Sequence, residues 1–176
     1  MKNLATKWGN LGYWHPSNQS YPEAASTLAK VLGNEARINY KDRLLVLGAG
    51  FGEEIAYWEK QFGFNHLVAI EKSATKYLTI KERFATNPNV ETLHGDHLTF
   101  VAEKRFDKIL VLDAAYHFTE KQKFFSVTKK QLCPNGSVVI NDLIRPKVER
   151  SILANFLYQL MDIPSAEIFS LKAYST

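Results

Sequence analysis

The run RLLVLGAGFGEE, from Arg43 to Glu54, constrains this chain more than any other. Leu44 to Leu47 is wholly apolar, as in a strand covered on both faces. Gly48, Gly50 and Gly52 then alternate with Ala49 and Phe51. Without a Cβ, glycine takes positive φ readily and lets a ligand lie against the backbone. Glu53 and Glu54 open a helix whose free N–H groups and positive dipole end favour a carboxylate or phosphate. A tight strand-to-helix connection needs one or two glycines; three at alternate positions point to a site for a nucleotide-like cofactor.

At 176 residues, 45% of them hydrophobic, the chain is long enough to enclose a single core and too apolar to be disordered. The net charge of +4 comes from lysines spread over the sequence, a solvated surface rather than a nucleic-acid footprint. Cys133 is the single cysteine, which excludes an internal disulfide and suits a reducing compartment. No apolar run is long enough to span a bilayer and residues 1–20 hold no signal-peptide core, so the expected location is the cytoplasm.

Beyond an aromatic, turn-rich arm (residues 1–21), the pattern predicts one domain over residues 22–176. Ser20 and Glu23 form a capping box, with Pro22 in the first turn of a helix expected to close at Gly33. Strand-like runs follow at 43–48, 66–71, 89–94, 107–113 and 137–142, separated by helical patterns at 53–62, 74–86, 120–132 and, after the last strand, 146–162. Thr119 with Gln122 reads as a second capping box, and Val148, Ile152, Phe156 and Leu160 form a buried stripe. Strands alternating with helices predict a doubly wound α/β domain with a mainly parallel sheet.

In such a sheet the ligand lies at the carboxyl ends of the strands, where the strand order reverses. The first strand ends in the glycine turn. The second ends in Glu71, followed by Lys72; a carboxylate there can accept hydrogen bonds from both ribose hydroxyls. Gly95–Asp96 follows the third strand, an acceptor suited to an exocyclic amine, and Asp113 closes the fourth ahead of AAYHF. Glu71 beside Lys72 also reads as an exposed charge pair, and Asp96 as a turn former. A dinucleotide site wants G-x-G-x-x-G, yet the third glycine position holds Glu53, a carboxylate unfavourable beside a pyrophosphate.

The segments NLGYW, VLGAGFGEE, VAIEKS, HGD, FDKILVLDAAYHF and LCPNGSVVINDL, in this order and spacing, resemble the class I S-adenosylmethionine-dependent methyltransferases, in particular the small-molecule branch. The resemblance spans roughly residues 8–165 and implies a Rossmann-like fold with S-adenosyl-L-methionine as cofactor. It implies that Gly48, Ala49, Gly50 and Gly52 contact the methionine part of the cofactor. Glu71, with Lys72 beside it, would hold the ribose hydroxyls. Asp96 would take the adenine amino group with the His97 backbone near the ring, and Asp113 and Ala114 would face the methionine amino group. Trp8 to Trp14 is similar to the family's N-terminal lid, with Tyr13 as the aromatic that closes over the cofactor.

Two departures accompany the resemblance. The family's usual acid two residues before the first glycine is Val46 here. Only 32 residues follow Ile144, enough for one helix and a short tail but not for the family's C-terminal strand pair. That leaves an edge at Val138, Val139 and Ile140 through which two copies of the chain are expected to associate.

Methyl transfer from a sulfonium needs in-line approach, and a polar acceptor also needs a base. His117, four residues beyond Asp113, is the candidate catalytic residue; orienting the loop is its bland alternative. Tyr116 reads as a pocket wall and Cys133 as a packed thiol. His15, His66, His94 and His97 lack metal-ligand spacing, so no metal is expected. The expected function is methyl transfer to oxygen or nitrogen of a small molecule. The alternatives are a non-catalytic cofactor-binding module and a nicotinamide dinucleotide enzyme.

Overall fold

The structure, a computed structural model, describes residues 6–17, 20–144, 158–164, 166 and 168–170. Its first helix, α1 (Tyr21–Ala36), starts at the expected capping box, with the Ser20 N–H donating to the Glu23 carboxylate at 3.0 Å. It runs past Gly33, the expected stop, and ends where Arg37 takes a left-handed φ of 52°. Gly33 lies inside the helix for a packing reason: a Cβ there would sit 2.4 Å from the Phe62 ring.

The remaining elements alternate. They are β1 (Arg43–Leu47), α2 (Glu53–Gln61), β2 (His66–Glu71), α3 (Ala74–Arg83), β3 (Val90–His94), β4 (Phe106–Val111), a 3-10 turn (Ala115–His117), α4 (Lys121–Gln131) and β5 (Leu132–Ile140). The five strands form one all-parallel sheet in the order β3-β2-β1-β4-β5. Leu44 and Val46 face one side, packing with Leu28 of α1, Ile55 and Trp58 of α2 and Ile80 of α3. Leu45 and Leu47 face the other, with Ile109, Val111 and Phe124 of α4. The alternation of side chains along one buried strand therefore feeds two cores, which is what makes β1 read as a continuous apolar run. Trp58 Nε1–H donates to the Ala29 carbonyl at 2.8 Å and fixes α2 against α1.

Three local expectations are corrected. At α4 no capping box forms: Glu120, at φ 55°, is the N-cap, so Thr119 stands one residue too early. β4 stops at Val111 because Asp113 turns to φ 49° and leaves the strand conformation. β5 begins at Leu132, with Phe106 opposite Leu132 and Lys108 opposite Ser137, so the Pro-Asn-Gly segment bulges within the strand. Gly136 fits there because a Cβ would lie 3.0 Å from both the Cys133 and Phe106 carbonyl oxygens. Most of the helix expected at 146–162 falls outside the described residues, and Leu160, expected on its buried stripe, is exposed.

Candidate functional site

From β1 the chain winds outward to β2 and β3, then crosses back to place β4 on the other side of β1. The order reverses between β1 and β4, and a cavity of about 420 Å³ opens at their carboxyl ends. Gly48, Gly50, Glu71, Lys72, His97, Asp113, Ala114 and His117 all contribute to its wall. Ala49, Gly52, Asp96 and Tyr13 are placed outside it.

The three glycines face different neighbours. A Cβ on Gly48 would lie 2.5 Å from the Ala114 Cβ, so this glycine lets the ends of β1 and β4 converge. A Cβ on Gly52 would lie 2.8 Å from the Phe84 ring, so it packs against α3. Gly50, at φ 53°, has nothing within 4 Å of its missing Cβ and presents bare backbone to open space. Ala49 between them is fully buried in the core.

Glu71 is 6% exposed at the end of β2. One carboxylate oxygen accepts the Gly50 N–H and the other the Ser73 N–H, each at 2.8 Å. The glycine loop and the carboxylate thus hold each other in place, and the carboxylate retains lone pairs for further donors. Asp96 is occupied elsewhere: it accepts the Leu98 N–H at 2.9 Å and pairs with Lys72 Nζ at 2.9 Å. Burial acts to raise its pKa, but these donors outweigh burial and hold it below the usual value. His97, next in sequence, does reach the cavity. Its ring stacks on Phe118 with centroids 3.8 Å apart, and burial depresses its pKa. Its Nδ1 lies 3.4 Å from Asp96, while its Nε2 is buried with no hydrogen-bond partner.

On the β4 side, burial and the nearby Asp142 push the Asp113 carboxyl up, against the Leu11 N–H and His117. The Leu11 N–H donates to Asp113 Oδ2, which ties the N-terminal arm to the rim. Tyr21 Oη–H holds the same arm through the carbonyls of Trp8 (3.0 Å) and Asn10 (2.7 Å). Gly9 and Asn10 are therefore the arm residues in the cavity wall, whereas Tyr13 is 49% exposed and its N–H donates to the Ala24 carbonyl. The 3-10 turn presents His117, whose Nδ1 lies 3.3 Å from the Asp162 carbonyl. His117, Thr119 and Asp162 also line a second cavity of about 410 Å³, completed by Tyr158, Gln159, Ile163 and Pro164. Among the described residues, no group of three His, Cys, Asp or Glu side chains is arranged to hold a metal, and no helix is long and apolar enough to cross a membrane.

The family model described as a methyltransferase domain matches residues 45–140, from inside β1 to the end of β5. The chain belongs to this methyltransferase domain family. The chain is 30% identical over 141 residues to the erythromycin 3''-O-methyltransferase of Saccharopolyspora erythraea, covering 77% of this chain and 45% of that enzyme. It is 26% identical over 116 residues to N-methyltransferase 4 of Papaver somniferum, covering 64% and 33%. A solved S-adenosylmethionine-dependent methyltransferase from Thiobacillus denitrificans, in complex with S-adenosyl-L-homocysteine, superposes with a TM-score of 0.66 at 18% identity, covering 84% of this chain and 60% of that one. The chain spans less than half the length of the curated relatives it matches.

Several wall residues of this methyltransferase domain escaped the sequence reading: Asn10, Phe51, Lys76, Asp162 and above all Glu54. Burial pushes the Glu54 carboxyl up to about 8. Glu54 lies two residues beyond Gly52, but a carboxylate in a first helical turn is common enough on dipole grounds that its chemistry stayed hidden.

Proposed function

We propose that this domain binds S-adenosyl-L-methionine in the cavity between β1 and β4 and transfers its methyl group to oxygen or nitrogen of a small molecule. The observation that carries this is the open backbone face of Gly50 beside a Glu71 carboxylate already oriented by two backbone N–H groups. The residues fit the cofactor: bare glycine backbone gives close approach, and the spare lone pairs of Glu71 suit ribose hydroxyls. His97 offers a flat wall for adenine, and Asp113 and Ala114 line the side toward the methionine end. Asp96, bound to Lys72, is assigned to holding the loop rather than to the ring.

When bound, the cofactor supplies an electrophilic methyl group. The protein supplies orientation and a base. With Nδ1–H donating to the Asp162 carbonyl, His117 carries its lone pair on Nε2, where it can take the proton of an acceptor hydroxyl or amine. The second cavity, which shares His117, is assigned to the acceptor. Self-association through the outer edge of β5, which among the described residues pairs with β4 alone, belongs to the same proposal and is tested by sedimentation.

The test of transfer is a panel of hydroxyl and amine acceptors with a labelled methyl group. His117→Ala is expected to lower transfer by about 10²–10⁴-fold, the range of general-base catalysis, with cofactor affinity unchanged. Cofactor binding with no label transferred to any acceptor would leave the chain a binding module.

A further inference from the structure

Given the cofactor assignment above, on which it rests, the cavity poses a question at its amino-acid end: what neutralises the α-ammonium group? Val46 is 1% exposed in the apolar core and offers no charge. We propose that Glu54 is the anionic partner of the cofactor's α-ammonium group, and that it ionises when that group binds.

Glu54 shares the cavity wall with Gly48, Gly50, Glu71 and Asp113. Burial disfavours its charge, and its own backbone N–H favours it only in part. On its own helix, Glu53 repels it. Arg83 of α3 attracts it but is committed to Glu53, Nη1 to Oε1 at 2.9 Å and Nη2 to Oε2 at 3.0 Å. Glu71 of β2 repels it as well. Of the other cations in the wall, Lys72 is paired with Asp96, and Lys76 lies 5.9 Å from the Phe51 ring centre. Burial dominates, which is why the carboxyl sits at about 8 and is largely protonated at neutral pH. A ligand cation placed beside Glu54 on this wall reverses that balance, and the Glu54 proton leaves to solvent. Affinity for a ligand with an α-ammonium then rises with pH below about 8.

Calorimetric titration of the full chain with S-adenosylhomocysteine and with 5'-methylthioadenosine, which lacks the amino-acid end, separates this role from a structural one. Between pH 6 and 7.5 the affinity for S-adenosylhomocysteine is expected to rise several-fold, up to about tenfold per pH unit, with proton release seen as a buffer-dependent heat. Affinity for 5'-methylthioadenosine is expected to stay flat. Glu54→Gln should remove the pH dependence and weaken S-adenosylhomocysteine at least tenfold at pH 7.5 while leaving 5'-methylthioadenosine unchanged. A pH-independent S-adenosylhomocysteine affinity in the unaltered chain, which needs no variant to fold, overturns the proposal. So does an equal loss of both ligands in Glu54→Gln. If neither ligand binds the unaltered chain, the cofactor assignment itself falls.

Discussion

Gly48 and Gly50 both hold positive φ, but only Gly50 faces open space, and substitutions should separate them. Gly48→Ala meets the Ala114 methyl and a left-handed backbone at once, so a loss of about 2–4 kcal/mol in stability is expected by denaturant unfolding. Gly50→Val should lose only about 1–2 kcal/mol to backbone strain but should abolish S-adenosylhomocysteine binding. Surviving affinity in folded Gly50→Val would put the ligand elsewhere. Glu71→Ala is expected to weaken S-adenosylhomocysteine binding by about 1.5–3 kcal/mol, the range for hydrogen bonds to a charged group, and to lower the melting temperature because the Gly50 and Ser73 N–H groups lose their acceptor. Glu54 also leaves a mark on the ligand-free protein. Its native pKa is raised, so the folded state binds more protons than the unfolded state between about pH 4.5 and 8. Its contribution to stability is fully present below that window and declines as pH rises through it, by at most about 1.4 kcal/mol per pH unit. Subtracting the pH–stability curve of Glu54→Gln should expose this slope; parallel curves would refute it.

At the scale of elements, two tethers shape the rim. Lys121, in the first turn of α4, is 1% exposed and pairs with Asp142 just beyond β5 at 2.5 Å. Breaking a buried ion pair by removing one partner is costly, so Lys121→Met is expected to destabilise by about 3–5 kcal/mol, with Lys121→Met/Asp142→Leu recovering most of it. Equal unfolding midpoints for the single variant and the parent would contradict the buried pair. The arm is the second tether: Tyr21→Phe loses both carbonyl contacts and should raise hydrogen exchange at residues 8–13. These tethers explain what the sequence could and could not reveal. β1, β2 and α2 were legible because burial on both faces, glycine spacing and helix periodicity are local signals. Lys121 carries no local signal of its pairing because its partner lies 21 residues on. Likewise Thr119 carried a cap signal that the left-handed Glu120 overrode, and Tyr13 looked like the closing aromatic although Asn10 is the arm side chain that turns inward.

On the scale of the whole molecule, strand alternation was enough to give the doubly wound sheet, and reversal of its order between β1 and β4 places the cavity. Glu71 and Asp113 were visible in advance because each ends or follows a strand at that rim. Glu54 was not, since its raised pKa comes chiefly from burial that only the folded chain provides. The central claim, that this rim is an S-adenosylmethionine site, is tested most directly by calorimetric titration of the intact chain with S-adenosylhomocysteine, run beside NAD under the same conditions. Saturable binding of one S-adenosylhomocysteine per chain with no NAD heat is the expected result. No S-adenosylhomocysteine binding, or NAD binding in its place, would contradict it.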